Sequence, residues 1–131
     1  KIMNLIKFPL VTSDNFVINS EIILDASKLV EMNAIGATLV CTFAAGSANS
    51  ILTFTFDGTT AGRLANATAM MNRLSEDIQT LAGPNGVSRG VFDFCPETKD
   101  AAGMIAFEAR CGLVEDNTGT AGDALVSIAL T

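Results

Sequence analysis

The chain has no histidine, no tryptophan and no tyrosine. Without histidine, Ser-His-Asp and Cys-His chemistry is excluded, and the commonest metal ligand is gone. Without tryptophan and tyrosine, the usual aromatic anchors of binding surfaces are missing. All 8 aromatic residues are phenylalanine, which is expected in the core. There are only 3 cysteines, Cys41, Cys95 and Cys111. That odd, widely spaced set is not a disulfide framework, and with no CxxC pair it gives no expectation of structural zinc. Each lies in an apolar, strand-like pattern, so buried, reduced thiols are expected. Basic residues are scarce, 8 against 14 acidic ones, for a net charge of −6. Nucleic-acid binding rests on clustered positive charge and is not expected.

Apolar residues make up 49 % of the chain, yet no run is long enough to span a membrane. No charged region followed by an apolar run and a cleavage site opens the sequence, so no signal peptide is expected, and Met3 suits an initiator. The length of 131 residues favours a single domain over 1–131.

What is present centres on Leu39 to Leu81. Leu39, Cys41 and Phe43 alternate with Thr38, Val40, Thr42 and Ala44. Leu52, Phe54 and Phe56 alternate with Ile51, Thr53 and Thr55. Period two with β-branched and aromatic residues predicts strands, and the small polar segment 45–50 between them predicts an antiparallel hairpin. Leu64, Ala67, Met71, Leu74, Ile78 and Leu81 then follow at helical spacing, with Arg63, Asn66, Asn72, Arg73, Glu76, Asp77 and Gln79 on the wet face. This predicts a helix over 61–82 whose apolar stripe lies on the hairpin. Thr59 or Thr60 suits its cap, Gly83-Pro84 its stop, and Arg73 and Asp77 are spaced to pair.

Further strands are predicted at 5–10, 16–19 and 22–24. Pro9 is expected at a strand end or sheet edge because it lacks a donor. Asp25 to Met32 reads as a short capped helix or as a strand, with strand favoured. After the helix, strands are predicted at 87–95, 104–114 and 124–130, with 96–103 a polar loop. The expected fold class is α+β: a mostly antiparallel sheet or small sandwich of about seven strands, one long amphipathic helix covering one face.

Several segments carry residues that chemistry could use. Asp57-Gly58-Thr59-Thr60-Ala61-Gly62-Arg63 is glycine-rich and precedes a helix, but it is neither a Walker loop nor GxGxxG. A capped strand-to-helix loop explains it. Glu115, Asp116, Asn117 and Asp123 lack EF-hand spacing and read as a solvated hairpin tip. Asp93 and Glu108, on strands expected to be neighbours, would form a carboxylate pair, but outward-facing polar positions explain both. Asn66-Ala67-Thr68 has the form of a glycosylation acceptor inside a predicted helix. No catalytic, cofactor-binding or metal-ligating residue is assigned.

Met3-Asn4-Leu5-Ile6-Lys7-Phe8-Pro9-Leu10, then Asn15-Phe16-Val17-Ile18-Asn19, then a Thr/Phe-rich hairpin and an amphipathic helix resemble small proteins encoded by marine tailed bacteriophages. The resemblance covers residues 3–95, is carried by pattern, and is lost over 104–130. It implies a phage product, a structural or accessory component of the virion, and transfers no functional residue.

Together these readings lead to the expectation of a non-enzymatic, self-associating phage protein, located in the virion or the host cytoplasm. Strand 124–130 is nearly bare of charge on both faces, so a homo-oligomer, dimer or trimer, is expected to use it, with other virion proteins as further partners. The alternatives are a small ligand- or protein-binding module acting in the infected cell, and a hydrolase or transferase working through acids alone.

Overall fold

Alternating apolar residues build most of the molecule. In the computed structural model, which describes residues 5–11, 18–56, 60–82, 91–96, 101–113 and 125–131, the strands are β1 (Leu5–Val11), β2 (Ile18–Asp25), β3 (Leu29–Ile35), β4 (Thr38–Phe43), β5 (Ser50–Phe56), β6 (Val91–Asp93) and β7 (Leu125–Leu130). Two helices join them, α1 (Thr60–Ala82) and α2 (Ala101–Arg110). The strands form one seven-stranded sheet in the order β2-β1-β7-β5-β4-β3, with β6 added beside β1. All pairings are antiparallel except β1 with β6. The fold is α+β and mostly sheet. Among the described residues no helix is long and apolar enough to cross a membrane.

The central hairpin forms as its pattern predicts. Cys41 faces Leu52 and Leu39 faces Phe54 across β4 and β5. Leu39, Cys41, Phe43, Leu52, Phe54 and Phe56 are all buried. β3 and β4 are closed by a two-residue turn at Gly36-Ala37, where Ile35 faces Thr38. Such turns need a positive φ at the first central residue, and Gly36 has φ 58°.

The ambiguous stretch from Asp25 to Met32 resolves into both of its readings. The Asp25 carboxylate accepts from the Ser27 N–H at 2.9 Å and from its hydroxyl at 2.7 Å, capping a 3-10 turn over Ala26–Lys28. Strand β3 follows at once. Its expected alternation breaks at a bulge between Leu29 and Glu31, which leaves Val30 65 % exposed. Beyond the bulge Met32 and Ala34 pack on the core, while Glu31, Asn33 and Ile35 face out.

That 3-10 turn bends the whole sheet. β2 and β3 lie at opposite ends of the strand order, five strand spacings apart, which in a flat sheet is ~24 Å. The 3 residues between them reach at most ~11 Å. The sheet must therefore fold over. It does so where β1 meets β7, through one pair among the described residues, Val11↔Ile128. As a result the Phe8 ring on β1 lies 6.3 Å from Phe43 on β4 and 6.2 Å from Phe54 on β5. Edge-to-face contacts then run from Phe8 to Phe94 at 5.7 Å and from Phe94 to Phe107 at 5.3 Å.

Helix α1 lies on the inner face of β3, β4 and β5. Its buried face is rotated by about one residue from the expected stripe. Ala67 and Leu74 are buried as expected and Met71 and Ile78 pack half-buried on the core, but Met70 is fully buried and Leu64 is 45 % exposed. Asn66 and Asp77, expected in water, are buried. The two stripes share Ala67 and Leu74, so periodicity alone does not separate them; the packing of α1 on β3, β4 and β5 does. Thr59 as cap and Gly83-Pro84 as stop lie outside the described residues.

The second helix, α2, corrects the strand expected over 104–114 and shortens the polar loop expected over 96–103. Residues Ala101–Arg110 are rich in alanine, with Met104, Glu108 and Arg110, all good helix formers. Phe107 and Cys111, one turn apart, are buried. The stop is also written in the sequence. Gly112 has φ 74°, the Leu113 N–H donates to the Glu108 carbonyl at 3.0 Å, and the Gly112 N–H donates to the Ala109 carbonyl at 3.1 Å. This is a Schellman end with glycine at C′. The apparent alternation Ile105/Phe107/Ala109/Cys111 was misleading, since Ile105 and Ala109 are exposed.

Two further expectations change. Pro9 sits inside β1, not at an end or an outer edge of the sheet. The Phe94 N–H donates to the Lys7 carbonyl at 2.9 Å, so alternation turns the Pro9 nitrogen toward the same side. There β1 changes partner, from β6 opposite Leu5–Lys7 to β7 opposite Val11, and no donor is required between them. β7 is central, between β1 and β5. A register shift opposite Thr55/Phe56 turns Leu125 inward alongside Ile128, both 1 % exposed. The bareness of this strand is thus explained within one chain, and it does not require a partner there.

The rotated helix face is testable. Met70→Ala should cost ~2–5 kcal/mol, because it deletes buried methylenes, while Leu64→Ala should cost under ~0.5 kcal/mol. Urea melts in which Leu64→Ala is the more damaging of the two would restore the original stripe.

Candidate functional site

Two clusters of polar side chains stand out. The first is on β1, β2 and the end of β6. The Lys7 ammonium lies 3.8 Å from the Glu21 carboxylate and 3.6 Å from that of Asp93. The cross-strand arrangement follows from register, since Lys7 is paired with Asp93 on one side and with Ile23 on the other, next to Glu21. Cys95 follows Asp93 and Phe94 and is buried; its thiol donates to the Lys7 carbonyl at 3.6 Å.

A thiol acts as nucleophile only when ionised. Here burial pushes the Cys95 thiol up, and the adjacent Asp93 and Glu21 carboxylates push it further in the same direction. Burial also pushes Cys41 up to about 12. Cys111 is pushed up to about 12 by burial, against the pull of Arg110 and Arg73. The 3 cysteines are free and buried. They should react slowly with a thiol reagent in native buffer and be counted as 3 thiols in denaturant. Rapid native labelling, or a lower count after unfolding, would contradict this environment.

The second cluster joins α1 to the end of α2. The Arg73 Nε lies 3.4 Å from the Asp77 Oδ2, one turn away, and Arg110 approaches from α2. The expected Arg73–Asp77 pair therefore forms, but in a buried setting. Neither the Arg73 Nε nor the Asp77 Oδ2 makes a hydrogen bond, so the pair is long and badly aligned. Attraction of that quality does not offset the loss of water around a buried carboxylate. Burial accordingly raises the Asp77 carboxyl above its ordinary value, although Arg73 and Arg110 pull it down.

The sign of the consequence follows. A carboxyl that binds its proton more tightly when folded favours the folded state below its unfolded pKa, near 3.8, and loses that contribution as pH rises through the folded value. Asp77→Asn should therefore raise the urea midpoint at pH 7, and the gain over the unmodified chain should shrink as pH is lowered toward 4. A variant less stable than the parent at pH 7 would mean that the pair stabilises the fold.

Glu108 is the third buried polar group, and the strand reading hid it. On α2 it points inward, and its Oε2 accepts from the Leu125 N–H at 2.9 Å. It thereby satisfies a main-chain donor at the first residue of β7. Arg110 is also committed: its Nη2 donates to the Cys95 carbonyl at 3.1 Å, and its guanidinium stands 5.2 Å from the Phe107 ring centre.

The residues weighed from sequence are not brought together as a site. Asp93 is exposed and sits beside Lys7, while Glu108 is on a buried helix face beside β7, so they are not a pair on neighbouring strands. Asn66 is 1 % exposed, which shields it from a glycosyltransferase. Asp57–Thr59 and the acidic segment 115–123 lie outside the described residues. Among the described residues, no group of three or more Cys, Asp or Glu side chains is placed to hold a metal ion. No protein-family model, curated protein or solved structure matches the chain.

Proposed function

We propose that this is a non-enzymatic, self-associating protein that serves as a structural or accessory component of a tailed-phage virion. The observation that carries this reading is the outer face of the sheet. Register places Thr38, Val40 and Thr42 of β4 beside Thr55, Thr53 and Ile51 of β5, and Ser127 and Ala129 of β7 beside Thr55 and Thr53. None of these positions carries a charge, in a chain of net charge −6. Copies of an acidic chain repel one another wherever carboxylates meet, so an uncharged expanse is where association costs least. The thiols, held protonated, and Glu108, bonded to the main chain, serve the fold. The resemblance of residues 3–95 to small proteins of marine tailed bacteriophages supplies the setting.

Light scattering at tens of micromolar should give a mass that is a multiple of the 13.6 kDa chain. Mass spectrometry of purified phage particles should detect the protein at a stoichiometry above contaminant level. A chain that stays monomeric and is missing from particles would overturn the reading.

A further inference from the structure

β2 and β3 end the strand order among the described residues, and they are guarded differently. An edge strand exposes unpaired main-chain donors and acceptors, and proteins protect such edges with charge, proline or bulges. β2 carries Glu21 and Asp25 along its length, with Lys7 bound to Glu21 from the next strand. β3 carries only Glu31, and its bulge lies at one end, between Leu29 and Glu31. From Glu31 to Ile35 the strand is regular, has no lysine or proline, and ends in Ile35, which is 58 % exposed. Among the described residues nothing pairs with this edge.

We propose that β3 is the contact between two copies of this chain, which pair antiparallel about a two-fold axis at Asn33 and join their sheets into one. The inference rests on the self-associating role. The turn at Gly36-Ala37 makes Ile35 and Thr38 a hydrogen-bonded pair, so alternation turns the main-chain groups of Met32 and Ala34 outward. With Asn33 opposite Asn33 of the second copy, Met32 falls opposite Ala34 of that copy. The outward donors and acceptors of both then meet, and both side chains lie on the inner face. On the outer face the two Asn33 amides are self-complementary, each offering a donor and an acceptor. Glu31 lies beside Ile35 of the second copy. The two Glu31 carboxylates are then ~14 Å apart, beyond the Debye length of ~8 Å at physiological salt. Moving the axis to Met32 would bring them to ~7 Å, inside that length, so charge favours the Asn33 register over that one. A two-fold contact of this kind is closed and yields a dimer.

The test uses the full chain with substitutions at exposed positions. The unmodified chain should show twice the 13.6 kDa mass by sedimentation equilibrium at tens of micromolar. Asn33→Lys opposes two ammonium groups at the axis and should halve that mass, while Ile23→Lys on β2 should leave it unchanged. Asn33→Cys should form a covalent dimer on mild oxidation, and Ile23→Cys should not. If the parent self-associates but Asn33→Lys leaves its mass unchanged and Asn33→Cys does not cross-link, the β3 edge is the wrong contact and the self-associating role survives. If the parent is a monomer, both fail.

Discussion

The connection of only 3 residues between the two ends of the strand order governs the rest of this structure. Because Ala26–Lys28 cannot span a flat sheet, the strands must curl over one another. The corner is fixed on both sides. Asp25 caps it, and the Ala44 N–H donates to the Lys28 carbonyl at 2.8 Å, tying it to the end of β4. Ala26, buried in the core, fills its inside. Curling gives a single core in place of two half-covered faces. Phe8 becomes its hub, touching rings from β4, β5 and the segment after β6. It also opens a seam between β1 and β7, where Val11 and Ile128 alone pair among the described residues, and the seam accommodates Pro9. Bulges in β2, β3 and β7 sharpen the bend, since an unpaired extra residue increases local twist.

A core assembled from so many directions takes in polar groups that its local patterns would leave in water. Glu108 is buried because α2 ends where β7 begins, and the Leu125 N–H there needs an acceptor. Arg110 reaches from the same helix end to the Cys95 carbonyl, binding the β6 segment to α2. Asp77 has the weakest compensation, with one long contact to Arg73. These groups lie close together around Cys111, whose thiol feels Arg110, Arg73, Asp77 and Glu108 at once. Burial is what keeps the thiol protonated, against the pull of the two arginines.

The outside of the sheet follows a different logic. Threonine, valine, isoleucine, alanine and serine occupy the mostly half-buried outer sides of β4, β5 and β7, which suits a pleated surface of this kind. The same composition leaves nothing to repel a neighbour. Pairing through β3 would extend this surface across two copies, so a small chain would present a broad uncharged face for assembly contacts.

The sequence alone determined the elements whose pattern is local. The β4–β5 hairpin alternates strictly and turns through a small polar loop, and α1 runs from Thr60 to Ala82 close to the bounds its spacing implied. The pairing of Arg73 with Asp77 is one helical turn and needs no tertiary information. Segment 101–110 was also legible, through its alanines and Gly112, but an accidental apolar alternation outweighed them. Tertiary structure decided what depends on neighbours distant in sequence. Which of two overlapping stripes of α1 is buried depends on how the helix sits on β3, β4 and β5. Whether a charge-free strand is central or partnered depends on strand order, which placed β7 between β1 and β5. One-residue bulges at Val30 and Val126 reverse the facing of every position before them, and nothing in the side chains marks them. A residue's burial is a property of what packs against it, and only the folded-over sheet supplied those contacts.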